Sequence, residues 1–418
     1  MLTTFADLGL SSQLLSALAR NSIDTPVAVQ AEAIPPMSRG SDVVIEAPTG
    51  SGKTLAFMLP LVERLLLAGA PGPRALVVTP TRELAIQVER VFRSLSTSLS
   101  CALLYGGVGY ATQEQALKSG ADLVIGTPGR ILDMVSRRRL SLNRVQFLVL
   151  DEGDEMLDAG FAPDVERIIQ GCYEPQMVLA SATMPDWVTR VIERHLEHPV
   201  RIRIALEAEQ VLEHGLVRVP RVDKLHTLSR LLRSHPGPVI VFCRTKNGGR
   251  KLNRDLRRLA HDSADLQGDL SQNARDRTMD AFRGLRTNVL IATNVAARGL
   301  DISHVDLVVN YELPDSPDWL THRVGRTARM GAKGRALTFV TPEDDRAWRT
   351  LRRQGAPALP EVDVAHLLNE GNWRYVAASL VEPRPQLRTD GRSPSAWPRR
   401  RRRPRGRGRP SASSRAAV

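Results

Sequence analysis

The segment that most narrows the fold is residues 43–67. Val43-Val44-Ile45 is a short β-branched run, which reads as a buried strand. It leads into Ala47-Pro48-Thr49-Gly50-Ser51-Gly52-Lys53-Thr54, and residues 55–67 then read as a helix. Glycines in such a loop let backbone N–H groups converge on an anion that a Cβ would obstruct. The positive end of the following helix faces the same point. Ala47, Thr49, Gly50, Ser51, Gly52, Lys53 and Thr54 therefore form a candidate phosphate cradle. Lys53 is placed to reach β- and γ-phosphates and the Thr54 hydroxyl to ligate Mg²⁺.

About 100 residues on, residues 145–150 read as a second buried strand ending at Asp151-Glu152-Gly153-Asp154. Ligand sites in open α/β sheets lie at the carboxyl ends of strands. Asp151 there is a candidate Mg²⁺ ligand, through waters, and Glu152 a candidate base for an attacking water. Residues 76–79, 123–125, 177–180 and 200–204 are further strand-like runs, followed in the second half by 239–242, 289–292, 307–309 and 336–340. Helical stretches such as 186–196 separate them. This alternation predicts an α/β chain with two parallel sheets and right-handed crossovers.

Composition sets the outer limits. A length of 418 residues with 42% hydrophobic content supports two cores and a tail. No run approaches the roughly 20 apolar residues of a membrane span, and the first residues lack the pattern of a signal peptide. Cys101, Cys172 and Cys243 are far apart and odd in number, which fits a reducing, cytoplasmic compartment rather than a disulfide framework. From residue 381 onward there are twelve Arg against two acidic residues, +10 of the net +13. That tail cannot bury enough apolar surface to order itself, so it is expected to be disordered and to attach to nucleic-acid phosphates.

The motif series resembles that of the DEAD-box RNA helicases of superfamily 2, over residues 5 to 345. Phe5 and Pro26-Val27-Ala28-Val29-Gln30 resemble the adenine-reading Q motif. Pro80-Thr81-Arg82-Glu83-Leu84-Ala85, Gly106-Gly107 and Thr127-Pro128-Gly129-Arg130 resemble RNA-backbone motifs, and Ser181-Ala182-Thr183 the motif that couples hydrolysis to RNA. Residues 239–245 (ending Cys243-Arg244-Thr245), Gln272 with Arg275, residues 292–301 (Thr293 to Asp301 among them) and His322-Arg323-Val324-Gly325-Arg326-Thr327-Ala328-Arg329 continue it.

The resemblance implies two tandem RecA-like domains holding ATP, Mg²⁺ and single-stranded RNA across their cleft, with ATP binding and hydrolysis unwinding short duplexes or remodelling RNA–protein complexes. It implies boundaries at 1–205, a 206–215 linker, 216–350, a 351–390 extension and the 391–418 tail. Gln30, with Phe5, is then expected to read adenine and Asp301 to touch ribose. Arg323 and Arg326 are expected to act as arginine fingers. Asp154, Ser181, Thr183 and His322 fall to coupling, and Arg82, Gly107, Thr127, Gly129, Arg130, Arg244, Gln272, Arg275 and Thr293 to RNA. Aromatics are only 4% of residues, which favours backbone contacts and sequence-independent binding. An ATP-gated clamp with slow turnover and a DNA-directed motor share these motifs, and no protein partner in ribosome assembly or RNA decay is named by them. The chain departs from the family pattern at Ala47, Ile23, Gly153, Gln267, Asn294 and Ala328. Ile23 offers no π face to a base.

Overall fold

Each β-branched run becomes a strand, and most strands feed a helix that folds back over the sheet. The computed structural model describes residues 4–48, 50–67, 72–96, 98–204, 212–294, 305–327 and 334–366. The first lobe comprises α1 (Ser12–Arg20), α2 (Ala28–Ser38), β1 (Val43–Glu46), α3 (Lys53–Leu67), β2 (Ala75–Val78), α4 (Arg82–Leu95), β3 (Cys101–Leu104) and α5 (Ala111–Lys118). It continues through β4 (Leu123–Gly126), α6 (Pro128–Ser136), β5 (Phe147–Asp151), α7 (Gly153–Asp158), α8 (Ala162–Gly171), β6 (Gln176–Ser181), α9 (Asp186–His195) and β7 (Val200–Arg203). Its sheet has seven parallel strands in the order β3-β4-β2-β5-β6-β1-β7.

The second lobe comprises β8 (Leu212–Arg218), α10 (Lys224–Ser234), β9 (Val239–Phe242), α11 (Lys246–Arg258), β10 (Ser263–Leu266) and α12 (Gln272–Arg283). After these come β11 (Val289–Ala292), β12 (Leu307–Asn310), α13 (Pro317–Val324), β13 (Gly334–Val340) and α14 (Asp345–Arg353). Its six strands, also parallel, run β10-β11-β9-β12-β13-β8. Strand β8 begins at Leu212, so the last part of the stretch expected as linker is an edge strand. Helix α14 likewise crosses the expected boundary at 350. Both lobes belong to one compact unit. Residues 367–390 of the expected extension and the arginine tail lie outside the described residues.

Both faces of each sheet are covered, which explains the unbroken apolar runs. Val43 and Ile45 of β1 enter one core cluster and Val44 the other; in β5, Phe147 and Val149 face one side and Leu148 and Leu150 the other. In the second lobe Val239 and Val241 oppose Ile240 and Phe242 across β9. Two matched caps direct the chain as it leaves a central strand. Thr81 Oγ1 accepts from Leu84 N at 3.2 Å at the start of α4, and Thr245 Oγ1 accepts from Gly248 N at 3.1 Å at the start of α11. The capping geometry sets where Arg82 and Arg244 leave the sheet.

Candidate active site in the cleft between the lobes

The carboxyl ends of β1, β5 and β6 are adjacent in the first sheet, and they carry the cradle, the acidic cluster and Ser181. Gly52 has φ +96°, and a Cβ there would stand 2.8 Å from Gln30 Nε2, so only glycine fits. Lys53 opens α3 and is 6% exposed. Its Nζ donates to the carbonyls of Ala47 at 2.5 Å and Pro48 at 2.9 Å, curled back along the loop. Burial lowers its pKa, while the charges of Asp151 and Glu152 pull the other way. The Ser51 hydroxyl is buried with no partner. A buried cation and an orphaned hydroxyl on one glycine loop fit a polyphosphate. Thr49 lies outside the described residues.

Asp151, the last residue of β5, is 2% exposed. Burial and the neighbouring Glu152 carboxylate push it up to about 7, with Lys53 opposing. A carboxylate so destabilised fits a site completed by a cation. Among the described residues no three His, Cys, Asp or Glu side chains converge as a metal site. Glu152 caps α7 in the left-handed region at φ 54°, ψ 57°, a strained conformation for a residue with a Cβ. It is 8% exposed, and its Oε2 has no partner.

Asp154 is the hub of the coupling residues. Its Oδ2 accepts from Thr183 N and Thr183 Oγ1, both at 2.8 Å, and lies 3.5 Å from His322 Nε2 of the second lobe. Its N–H donates to Ser181 Oγ at 3.1 Å, and Ser181 Oγ donates to Thr183 O at 2.7 Å. Burial alone raises the Asp154 pKa, but the His322 and Thr183 hydrogen bonds outweigh it and bring it to about 2. Four of the expected coupling residues therefore form one network across the lobes.

The two expected finger arginines diverge. Arg326 is 4% exposed, and its Nη2 lies 3.5 Å from Glu155 Oε1 of the first lobe. Arg323 is 1% exposed and engages its own lobe: Nε donates to Asn294 Oδ1 at 2.7 Å, and Nη1 to Glu312 O at 2.7 Å and Asn310 Oδ1 at 3.3 Å. Its guanidinium also stands 5.1 Å from the Phe242 ring. Only Nη2 is left without a partner. This corrects the expectation for Arg323: its donors brace the ends of β11 and β12 rather than reach the first lobe. Asp301 and Arg329 lie outside the described residues.

Phe5 is corrected too. It is 3% exposed and shares an apolar cluster with Val29 and Ala33 of α2, so it packs beneath the Q-motif helix instead of offering a surface. Gln30 is 5% exposed, with Oε1 accepting from Val27 N at 3.0 Å and Nε2 donating to Gly52 O at 3.3 Å. The amide thus ties α2 to the cradle.

The residues expected to meet RNA sit mostly at the ends of other strands. Thr127 and Gly129 follow β4, and Arg82 follows β2 with its guanidinium 4.3 Å from the Tyr105 ring. Gly107 is exposed at φ +79°. Arg130 is 9% exposed, stacked 4.4 Å from Tyr110 and bonded to Val108 O at 3.2 Å, so it supports the loop around Gly107. In the second lobe Arg244 is exposed after β9, Thr293 follows β11, and Gln272 opens α12. Arg275 reaches Glu83 of the first lobe at 2.9 Å. Sequence reasoning missed three contributors: Tyr105, Tyr110 and Glu155. Glu155 had a signal, since three residues beyond Glu152 it shares a helical turn with it.

The chain matches the family described as DEAD/DEAH box helicase over residues 27–191 and the helicase conserved C-terminal domain over residues 223–331. It is 40% identical over 375 residues to DEAD-box ATP-dependent RNA helicase 53 of Oryza sativa subsp. japonica, covering 86% of this chain and 62% of the relative. It is 41% identical over 389 residues to ATP-dependent RNA helicase DeaD of Escherichia coli K12, covering 91% and 62%. The chain thus spans about three-fifths of the length of these curated relatives. A DEAD box protein from Methanococcus jannaschii superposes with TM-score 0.53 at 35% identity, covering 87% of this chain and 100% of that one. Saccharomyces cerevisiae Dbp5 bound to RNA and ADP–BeF3 superposes with TM-score 0.76 at 29% identity, covering 87% and 96%. The two parallel sheets are accordingly RecA-like lobes, and with the cradle, the acidic cluster and the cross-lobe residues assembled in their cleft the chain belongs to the DEAD-box helicase family.

Proposed function

We propose that this protein is an RNA-stimulated ATPase that unwinds short RNA duplexes or remodels RNA–protein complexes, working in the cytoplasm. One observation carries the reading: His322 and Arg326 of the second lobe come within 3.5 Å of Asp154 and Glu155, beside the Lys53 cradle of the first. Such a cleft can complete its chemistry only when the lobes close. Lys53 and the loop amides grip the phosphates of ATP. Thr54 and Asp151 would hold Mg²⁺, which would supply neutralisation of the phosphate charge. Glu152 orients the attacking water and takes its proton. Arg326 stabilises charge developing on the transferred phosphoryl group, an effect worth about 10³–10⁵ in rate in comparable enzymes.

RNA lies along the ends of β2 and β4 and across to Arg244, Gln272 and Thr293, held by its backbone. Through the Arg275–Glu83 pair the RNA face senses closure. The arginine tail reinforces attachment without reading sequence. The first lobe is taken as 1–205 and the second from β8 onward, while Gln30 and Asp301 serve adenine and ribose. The test is ATP turnover by the full chain alone, with single-stranded RNA and with DNA of the same sequence. Stimulation by RNA and not by DNA is expected; equal rates in all three would overturn the reading.

A further inference from the structure

The Glu155 side chain has no part in the cradle, the coupling network or the RNA face, yet it is placed between the two groups on which turnover most depends. It lies on α7 at 3% exposure, and its N–H donates to Asp154 Oδ1 at 3.1 Å. Oε1 stands 3.5 Å from Arg326 Nη2, 171 residues further along the chain. The Glu152 carboxylate acts on the same carboxyl, and Oε2 of each has no partner. Within the first lobe this is an unfavourable arrangement, because burial and the Glu152 carboxylate both act against a charge on Glu155, and Arg326 is what opposes them. An apolar side chain would fill the space without that penalty. The guanidinium that the second lobe brings offsets part of that cost.

We infer that Glu155 is a positioning residue: it receives Arg326 as the lobes close and holds the guanidinium beside Glu152. It acts through Arg326 and touches neither water nor phosphate. The inference rests on the ATPase reading of the cleft. A carboxylate that only braced the core would stabilise the fold and leave the reaction alone.

The test uses the full chain with Glu155→Met, Glu155→Gln, Arg326→Ala and the Glu155→Met/Arg326→Ala double variant. Melting is measured without nucleotide, and kcat and KM for ATP at saturating single-stranded RNA. Melting of Glu155→Met reports the net of losing a buried carboxylate and taking that partner from the buried Arg326 guanidinium, and the Glu155→Met/Arg326→Ala double variant, which removes both charges, is expected to melt higher than Glu155→Met. Its kcat should fall about tenfold or more with KM within about twofold, the signature of an interaction made on the way to the transition state. Glu155→Gln keeps an oxygen for Arg326 and should recover most of the loss. In the Arg326→Ala background Glu155→Met should add little. Wild-type kcat in Glu155→Met, a lowered melting point with kcat unchanged, or losses that multiply in the double variant would each overturn the inference. Turnover that collapses in Arg326→Ala but not in Glu155→Met refutes it while leaving the ATPase reading intact. A wild-type chain without RNA-stimulated turnover sinks both.

Discussion

Replacing Gly153 by Ala should stabilise the first lobe and preserve activity. Gly153 is the first residue of α7 and is not in the left-handed region. A Cβ there would meet Val188 Cγ2 at 3.6 Å, Leu179 Cδ2 at 3.7 Å and Ser181 Oγ at 3.8 Å, ordinary contact distances. Two terms then favour alanine. Removing glycine's backbone freedom from a helical position contributes about 0.5–1 kcal/mol. Burying one methyl group contributes up to about 0.8 kcal/mol. A combined gain of about 1–1.5 kcal/mol raises Tm by roughly 2–4 °C per kcal/mol in a lobe of this size. Thermal melting of the full chain reads the first effect, and RNA-stimulated ATP turnover reads the second. Because the methyl points at Val188 and Leu179 rather than into the cleft, turnover should be unchanged or raised. A lower Tm would mean that the pocket beside Ser181 cannot hold a methyl. A large loss of turnover at unchanged Tm would mean that α7 must flex at Gly153 during the cycle.

Glu152→Gln should retain ATP and RNA binding and lose most turnover, since an amide cannot take a proton; near-wild-type turnover in a clean preparation removes Glu152 as the base. Asn294→Asp should raise Tm, because the charge-assisted Arg323 Nε bond at 2.7 Å becomes an ion pair with charge on both partners, worth roughly 1 kcal/mol more; a lower Tm would show that the buried site rejects a second charge. Asp154 is held at about 2 in the folded chain against 3.8 ordinarily, so its contribution is present above 3.8 and lost as pH falls through about 2. The stability gap between wild type and Asp154→Asn, roughly 2 kcal/mol from this source at neutral pH, should therefore shrink between pH 4 and pH 2; a gap independent of pH assigns Asp154 a packing role only. Deleting residues 398–418 should spare ATPase activity without RNA and weaken RNA binding most at low salt, flattening the log–log salt slope by about 0.7 per lost phosphate contact. An identical slope would reduce the tail to a solvated appendage.

The strands that could be read from the sequence are mainly those buried on both faces. Val239 to Phe242 is apolar at every position because helices cover both sides of β9. The three strands that escaped, β3, β8 and β10, are all sheet edges. β10 reads Ser-Ala-Asp-Leu, with two half-buried positions, and β8 carries Glu213 and His214 beside its buried half. An edge strand needs no continuous apolar run, so periodicity misses it. The catalytic motifs were legible because they occupy strand ends, where loop chemistry is dictated by the ligand rather than by the core. What the motif string could not distinguish was which of its polar groups face the cleft. Arg323 and Arg326 are both buried and one helical turn apart, and only their neighbours, Asn294 and Asn310 for one and Glu155 for the other, separate a brace from a cross-lobe contact.

The charge balance of the cleft gives a reason for those neighbours. The first lobe buries Asp151, Glu152, Asp154 and Glu155 within five residues of chain, and Lys53 feels the field of all four. One internal cation cannot balance four carboxylates at such burial, and like charges there are costly unless compensated. Asp154 escapes by taking hydrogen bonds from Thr183 and His322 and stays ionised. Asp151 and Glu155 do not escape, and their carboxyls are pushed up. On the proposed reading each has its own visitor: the cation that accompanies a triphosphate would relieve Asp151, and the arginine of the second lobe offsets part of the cost at Glu155. Under the proposed function, nucleotide binding and lobe closure would then relax the same electrostatic strain, through carboxylates four residues apart. A site built this way would favour the closed cleft only when both visitors are present, which is what an ATP-gated grip on RNA requires.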